Sequence, residues 1–394
     1  MDEQPSCRGG AELVLNLESN SSISINYDPK FGPHDDLFLL EVDEKLLPDI
    51  LQQRVTFRGQ PDEEAVICTS SKTYAVKFVG NSNTVFLIPP TNSSILNGNS
   101  DNEKETVVGS VLKVAPGNME LVEVAPKLDK LKSLLKESPY RPEGNLEMDE
   151  LEVEELDEGN LGLFPWEDLV ERIQASDEEL RAGLQALSAV KINGSWGIVD
   201  EEYMNNLLTV LLHLSVSEGW SLSALKEDEV VGLMEAHGYQ SKLVLHCLEM
   251  YGSKVSKDVN EGHFWMLDEK RVCVHFARAI LRGGKRKMES FMEQWALKIP
   301  QGMHGSFDML EGEVLVERLG VETWVHAFSV SSLSSIPAER FLMLFRERQK
   351  WEWKDLEPYI KDLRVPGLSS EGLLLKYTRR TQPTKDSEPV FTAR

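Results

Sequence analysis

The stretch Pro337–Leu363, PAERFLMLFRERQKWEWKDLEPYIKDL, decides how the second half of this chain is read. Phe341, Leu344, Phe345 and Arg348 fall at helical spacing, and so do Leu356, Tyr359, Ile360 and Leu363. Apolar residues recurring at i, i+3, i+4 and i+7 turn one face of a helix towards a core. Pro337 suits the first turn of the first helix, where a missing N–H costs nothing. Pro358 removes a donor inside the second pattern and predicts a kink or a fresh helix start. Trp351 and Trp353 sit at the junction, placed to pin the two helices together. A third helix over Ser370–Tyr377 completes a helix-turn-helix-like unit.

Similar patterns precede this stretch. Trp166, Leu169, Val170 and Ile173 predict one helix, and Leu180, Leu184 and Leu187 another. Ser176 with Glu179 is a capping box that opens the second. Val190–Ile192, Asn193-Gly194 and Trp196–Val199 then read as a hairpin, Asn-Gly being a strong two-residue turn. Helix, helix, hairpin is the order of a winged helix. It recurs over Leu225–Leu267, and again from Asp268 to Val330 with strands around Leu319-Gly320. The stretch from Pro337 is a fourth helical group with no clear hairpin after it.

The first third reads differently. Ile23–Tyr27, Leu37–Val42, Val55–Phe57, Ala65–Thr69, Thr73–Val79, Thr84–Ile88 and Met119–Val124 are short, β-prone and bounded by turn residues, and Leu13–Leu17 is a further short piece. Phe38-Leu39-Leu40 and Val85-Phe86-Leu87-Ile88 are apolar at successive positions and so want cover on both faces. Few helices are available to supply it. The strands predict either a barrel or sandwich completed by another chain, or a small closed barrel. Asn92–Glu105 reads as a long polar loop.

These readings make the chain α+β, with a mainly-β N-terminal part followed by an array of winged-helix domains. The boundaries are a β-rich partner-binding domain over 1–135 and an acidic linker over 136–160. Winged-helix-like units cover 161–220, 221–267 and 268–332, a C-terminal helical unit 333–381, and a flexible tail 382–394. Glu143–Glu158 carries nine carboxylates and no Lys or Arg. Like charges repel and keep such a run solvated, with an acidic contact peptide as the alternative.

A length of 394 residues requires more than one core. No apolar run reaches membrane-spanning length. The start, MDEQPSCRGG, lacks the order of a secretory signal. Cys7, Cys68, Cys247 and Cys273 form no CxxC, which predicts a reduced intracellular protein. The net charge of −23 argues against a general nucleic-acid coat but allows a local patch.

Catalytic signatures are missing. Gly284-Lys285 lacks the preceding glycine and the following Ser or Thr of a phosphate loop. Histidines and cysteines between His237 and His275 show no repeated ligand spacing. No serine sits in a Gly-x-Ser-x-Gly elbow. Cys247 and Cys273 read as buried, inert thiols. No cofactor is expected.

One electrostatic feature stands out. Arg271, His275, Arg278 and Arg282 form a stripe roughly 16 Å long on one helix. Lys285, Arg286 and Lys287 extend it, and Lys376, Arg379 and Arg380 form a second patch. Each is a candidate DNA-phosphate surface or an ordinary solvated face.

Four groups of residues resemble a known family. They are Arg58-Gly59 with Asp62-Glu63, Ala65-Val66, Cys68, Lys72-Thr73-Tyr74 and Lys77; then Ile173–Ser176 with Glu178-Glu179, Gly194 and Trp196. Pro300, Gly302-Met303, Ser306, Asp308 and Leu310 follow. The last is Glu339–Phe341, Leu344-Phe345, Arg348, Lys350-Trp351, Asp355, Pro358–Ile360, Asp362-Leu363, Leu374 and Lys376-Tyr377. Together they resemble the sister chromatid cohesion subunit of the alternative, replication factor C-like clamp loader over roughly residues 30–380. The resemblance implies a nuclear, non-enzymatic adaptor with a composite β-barrel. The barrel would be shared with the large and small chromosome-transmission-fidelity subunits, leaving Phe38, Leu40, Val85, Phe86, Leu87 and Ile88 as partner contacts. It also implies indirect links to the replication factor C small subunits and to the sliding clamp PCNA. Direct contacts would be with the catalytic subunit of DNA polymerase epsilon and with DNA. The acidic linker and the polar loop near Asn97 depart from the family pattern. From the residues alone, a protein-docking adaptor of a ubiquitin-ligase or transcription complex is the alternative.

Overall fold

The computed structural model describes residues 23–52, 54–89, 107–142, 162–255, 262–363, 365, 368–382 and 388–394. Leu13–Leu17, the Asn92–Glu105 loop and the Glu143–Glu158 run lie outside the described residues. The chain divides into two compact units: 1–57, 63–69 and 74–123 form the first, and 58–62, 70–73 and 124–394 the second.

The first unit is mainly β. In order come β1 (Ile23–Tyr27), β2 (Leu40–Glu41), the short helix α1 (Leu47–Leu51), β3 (Thr56–Arg58) and β4 (Val66–Cys68). Then follow β5 (Thr73–Leu87), β6 (Val107–Val111) and β7 (Lys113–Val124). Five strands make an open sheet in the order β2-β7-β5-β4-β3, and β1 pairs with β6 in parallel. Among the described residues no sheet closes into a barrel. The two strands expected at Thr73–Val79 and Thr84–Ile88 are one, running straight through Gly80-Asn81-Ser82-Asn83. Gly117 shows how closely the backbones approach: a Cβ there would stand 2.2 Å from the Val79 carbonyl oxygen. Among the described residues of this unit the buried apolar side chains are few: Leu46, Val66, Ile67, Cys68, Tyr74, Val111 and Ala115.

The second unit opens with α2 (Leu128–Glu137), α3 (Trp166–Arg172) and α4 (Asp177–Ala186), then the hairpin β8 (Val190–Ile192) and β9 (Ser195–Gly197). The capping box forms as expected, Ser176 Oγ accepting from Glu179 N–H while the Glu179 carboxylate accepts from Ser176 N–H. Asn193 and Gly194 turn the hairpin with φ of 50° and 95°, the left-handed pair that this turn requires. Leu131, Leu135, Leu169, Ile173, Leu180 and Leu184 are fully buried together.

Three copies of one element order follow. The first has α5 (Glu201–Ser217), β10 (Leu225–Lys226), α6 (Glu227–Ala236), α7 (Ser241–Tyr251), β11 (Gly252–Val255) and β12 (Phe264–Leu267). The second has α8 (Glu269–Leu281), β13 (Arg286–Lys287), α9 (Met288–Lys298), a 3-10 turn (Phe307–Leu310), β14 (Val314–Leu319) and β15 (Glu322–Ala327). The third has α10 (Pro337–Glu347), β16 (Lys350–Glu352), α11 (Trp353–Leu356), a 3-10 turn (Glu357–Tyr359), α12 (Ser370–Tyr377), β17 (Thr378–Thr381) and β18 (Val390–Ala393). In each, the lone early strand joins the last strand, giving β10-β12-β11, β13-β15-β14 and β16-β18-β17.

The sequence reading differs here in three places. Glu201–Ser217 opens the first copy instead of trailing the unit before it. The helix expected over Leu356–Leu363 is a single turn followed by a 3-10 turn, because Pro358 cannot donate. Its apolar positions are nonetheless buried, and Trp351 lies fully buried on β16. Finally, Val390–Ala393, expected to be a flexible tail, is the central strand of a sheet, with Phe391 buried between β16 and β17. Phe391 stands opposite Trp351, and burying that ring against the third-copy core offsets the entropy of ordering the strand.

Two cores serve these copies. One runs continuously through the first two, with Leu207, Leu208, Leu211, Val244, Leu248, Phe276 and Trp295 near its centre. The other belongs to the third, around Phe341, Leu344, Trp351, Tyr359 and Phe391. They meet where Tyr359 Oη donates to the Val314 and Phe328 carbonyls, at 2.9 and 3.1 Å.

Candidate interaction surfaces

Local chemistry explains where the basic stripe goes. Asp268 caps α8 by accepting from Arg271 N–H at 2.8 Å, so the helix begins where its acidic cap dictates. The Arg271 side chain then points back and donates to the carbonyls of Glu249, Met250 and Gly252, each at 3.3 Å. It satisfies the orphan acceptors at the end of α7. Arg278 grips Glu313 with both arms, at 2.6 and 2.8 Å, and Arg282 meets Glu201 at 3.0 Å. Lys285 pairs with Glu317. Lys287 pairs with Glu322 at 2.5 Å and lies over the Trp324 ring. Arg286 donates Nε–H to the Ile280 carbonyl at 3.1 Å.

His275 leaves the stripe altogether. Its Nδ1 bonds the Tyr251 hydroxyl at 2.8 Å and its Nε2 the side-chain amide oxygen of Asn205 at 3.1 Å. Burial, then the nearby Arg282 and Arg278, push its pKa down to about 4. It stays neutral at physiological pH and adds no charge to the surface.

The second patch is differently placed. Lys376, Arg379 and Arg380 are exposed, and none has a carboxylate partner among the described residues. Lys376 lies over the Tyr377 ring, and Arg380 donates to the Gln382 amide oxygen at 3.2 Å. Arg379 stands opposite Thr392, which stands opposite Lys350. A cation from each edge strand therefore shares one register line across the sheet. Sequence reading missed Lys350 as a member, because β18, the strand that joins the two edges, was read as tail. Most of the first stripe is thus engaged by carboxylates or backbone carbonyls of its own chain, whereas the second patch meets no carboxylate among the described residues.

The six apolar candidates of the first unit stand out by contrast with the core elsewhere. Phe38 is 68% exposed, Phe86 39%, and Leu40, Val85, Leu87 and Ile88 are half-buried. Tyr27 and Phe57, which sequence reading did not single out, are 66% and 70% exposed. Val55–Phe57 reads as strand, and β3 is the edge of its sheet among the described residues. Tyr27 is on β1, Phe57 and Phe86 are on the five-stranded sheet and Phe38 is in the loop before β2, and large exposed rings of this kind mark protein-binding surfaces when they gather in one patch.

Thiol and metal chemistry find no support. Among the described residues no group of three or more His, Cys, Asp or Glu side chains could hold a metal ion. Cys247 is fully buried, which pushes its thiol well above the usual range, and burial takes Cys273 up to about 11. Such thiols are packing groups.

Members of the first two groups behind the family resemblance meet in space. Arg58, buried, donates to the Ala175 carbonyl and to Asp177. Thr73 Oγ1 donates to Glu179 at 2.6 Å and accepts from Ser176 N–H at 2.9 Å. Arg58 and Thr73 are thus tied to the capped start of α4, in a polar cluster that holds the second unit together.

Comparison with known proteins agrees over most of the length. The family described as "Sister chromatid cohesion protein Dcc1" matches residues 37–360. The chain is 34% identical to sister chromatid cohesion protein DCC1 of Danio rerio, over 94% of this chain and 93% of that one. It is 33% identical to the Homo sapiens protein of the same name, over 87% and 85%. A probable DCC1 of Dictyostelium discoideum is 27% identical over 91% and 95%.

Proposed function

This chain belongs to the sister chromatid cohesion protein Dcc1 family, and from that premise we propose that it is a non-catalytic adaptor of the cohesion-linked clamp loader. Family membership places its role in sister chromatid cohesion. The finer reading is that the first unit joins the large and small chromosome-transmission-fidelity subunits. The three repeated helical copies, read as winged helices, would then reach the catalytic subunit of DNA polymerase epsilon and DNA. Through the replication factor C small subunits this would support loading of PCNA in the nucleus.

The observation that carries the reading is the set of mostly exposed rings in the first unit, Tyr27, Phe38 and Phe57, beside a sheet that does not close among the described residues. A unit with so few buried apolar residues among those described gains most by burying such rings against other chains. Affinity capture of the tagged full chain from nuclear extract tests it. Clamp-loader subunits and polymerase epsilon are the expected proteins; cullin or general transcription components in their place would overturn it.

The DNA contact has its own expected result. Reversing Lys376, Arg379 and Arg380 to glutamate should lower duplex affinity at least tenfold at moderate salt. It should also reduce the salt slope by roughly three, one per lost phosphate contact. Reversing Arg278 and Arg282 should cost less, because each now serves a carboxylate. Unchanged binding in both variants would place the DNA surface elsewhere.

A further inference from the structure

We propose that a cationic cleft inside the second unit binds a phosphate group or a short polyphosphate. The cleft lies where the end of α2, the start of α5, and α7 and α8 converge, and it encloses about 270 Å³. Three cations line it, Lys136, Arg278 and Arg282, against one carboxylate, Glu201. The carboxylate is a poor counterion. Its side chain is 78% exposed and meets Arg282 at 3.0 Å in water, where such a pair is worth little. Arg278 holds Glu313, which does not line the cleft. Lys136 has no carboxylate partner among the described residues.

A second observation, independent of the charge, comes from His246. Its side chain lines the same cleft and is 7% exposed, yet its Nε2 has no hydrogen-bond partner. A buried nitrogen left unpaired costs about 1–3 kcal/mol, and because the ring N–H of this neutral imidazole goes to the Ser188 backbone, the group that would remove the cost is a donor, a ligand hydroxyl or a bound water. His275 cannot serve in that way, since Tyr251 and Asn205 already occupy both its nitrogens. What His275 does is report the field. Burial and the two arginines hold it down to about 4, so an anion arriving between them would release it upward.

Oxyanion chemistry fits this set. The Arg282 guanidinium, the arm of Arg278 that Glu313 leaves free and the Lys136 ammonium line one small volume and suit tetrahedral oxygens. A dianion outcompetes the single exposed carboxylate of Glu201 for Arg282. The site does not depend on the proposed cohesion function. Its ligand could be a free polyphosphate or a phosphate of a nucleic-acid backbone.

Calorimetric titration of the full chain with inorganic pyrophosphate, at matched ionic strength, tests the site. One saturable site is expected. Lys136→Gln and Arg282→Gln should each weaken it at least tenfold, while Arg346→Gln, on α10, should not. On the wild-type chain, proton NMR should show the His275 pKa rising on saturation. A 12-base-pair duplex that displaces pyrophosphate assigns the ligand to a nucleic-acid backbone; a duplex that does not assigns it to free polyphosphate. The absence of saturable heat, equal binding by the Lys136 and Arg282 variants, or an unmoved His275 would mean a water-filled cleft only and overturn the proposal.

Discussion

Trp351→Ala is expected to cost about 4 kcal/mol in urea unfolding followed by circular dichroism, within the range for deleting a buried tryptophan. The ring is fully buried, edge-on to Tyr359 at 5.6 Å and tilted against Phe328 at 6.4 Å. Its indole N–H donates to the Leu344 carbonyl at 3.0 Å. Truncation therefore opens a large cavity and strips a buried acceptor of its donor. Native domains hold only about 5–15 kcal/mol, so the third copy should become marginal at 37 °C. Trp353, half-buried and tilted against Phe391 at 5.8 Å, is the matched control and should cost less than half as much. Equal stabilities for the two variants would remove Trp351 from the core.

The second large effect concerns the exposed rings of the first unit. Phe38→Glu combined with Phe86→Glu should lower affinity for the partner subunits at least a hundredfold, about 3 kcal/mol, in capture or calorimetry. Neither side chain is buried in the isolated chain, so its melting temperature should stay within a degree or two of wild type. That split separates an intermolecular face from an internal one. A variant that melts early yet still captures its partners would show that these rings pack inside the chain.

How much the sequence revealed depended on how local each interaction is. The Ser176–Glu179 box and the Asn193-Gly194 turn are complete within four residues and were legible at once. So was α12, bounded at Ser370 and Tyr377 as expected. The lone early strands β10, β13 and β16 are two or three residues long and carry no period to detect. Val390–Ala393 pairs with Lys350–Glu352 some forty positions earlier, a distance over which no local pattern reports. The fate of the basic stripe was hidden for the same reason. Arg278, Lys285 and Lys287 find Glu313, Glu317 and Glu322 thirty-two or thirty-five positions downstream. Helical spacing announces a row of cations but cannot show that a later hairpin returns to neutralise it. The exposed first unit was legible as strands wanting cover, because Phe38–Leu40 and Val85–Ile88 are apolar at successive positions. Tyr27 and Phe57 were missed because a single ring in a short strand looks the same whichever way it faces.

The ties from Arg58 and Thr73 to Ala175, Ser176, Asp177 and Glu179 span more than a hundred residues of chain. Synthesis proceeds from the amino terminus at about 5–20 residues per second. A nascent Arg58 must therefore wait on the order of 5–25 seconds before its acceptors leave the ribosome. During that interval a guanidinium destined for burial stays hydrated, and the neighbouring strand edges remain open to stray pairing. Rare codons between Thr73 and Ala175 would lengthen the delay, making translation speed, as well as fold stability, a determinant of yield.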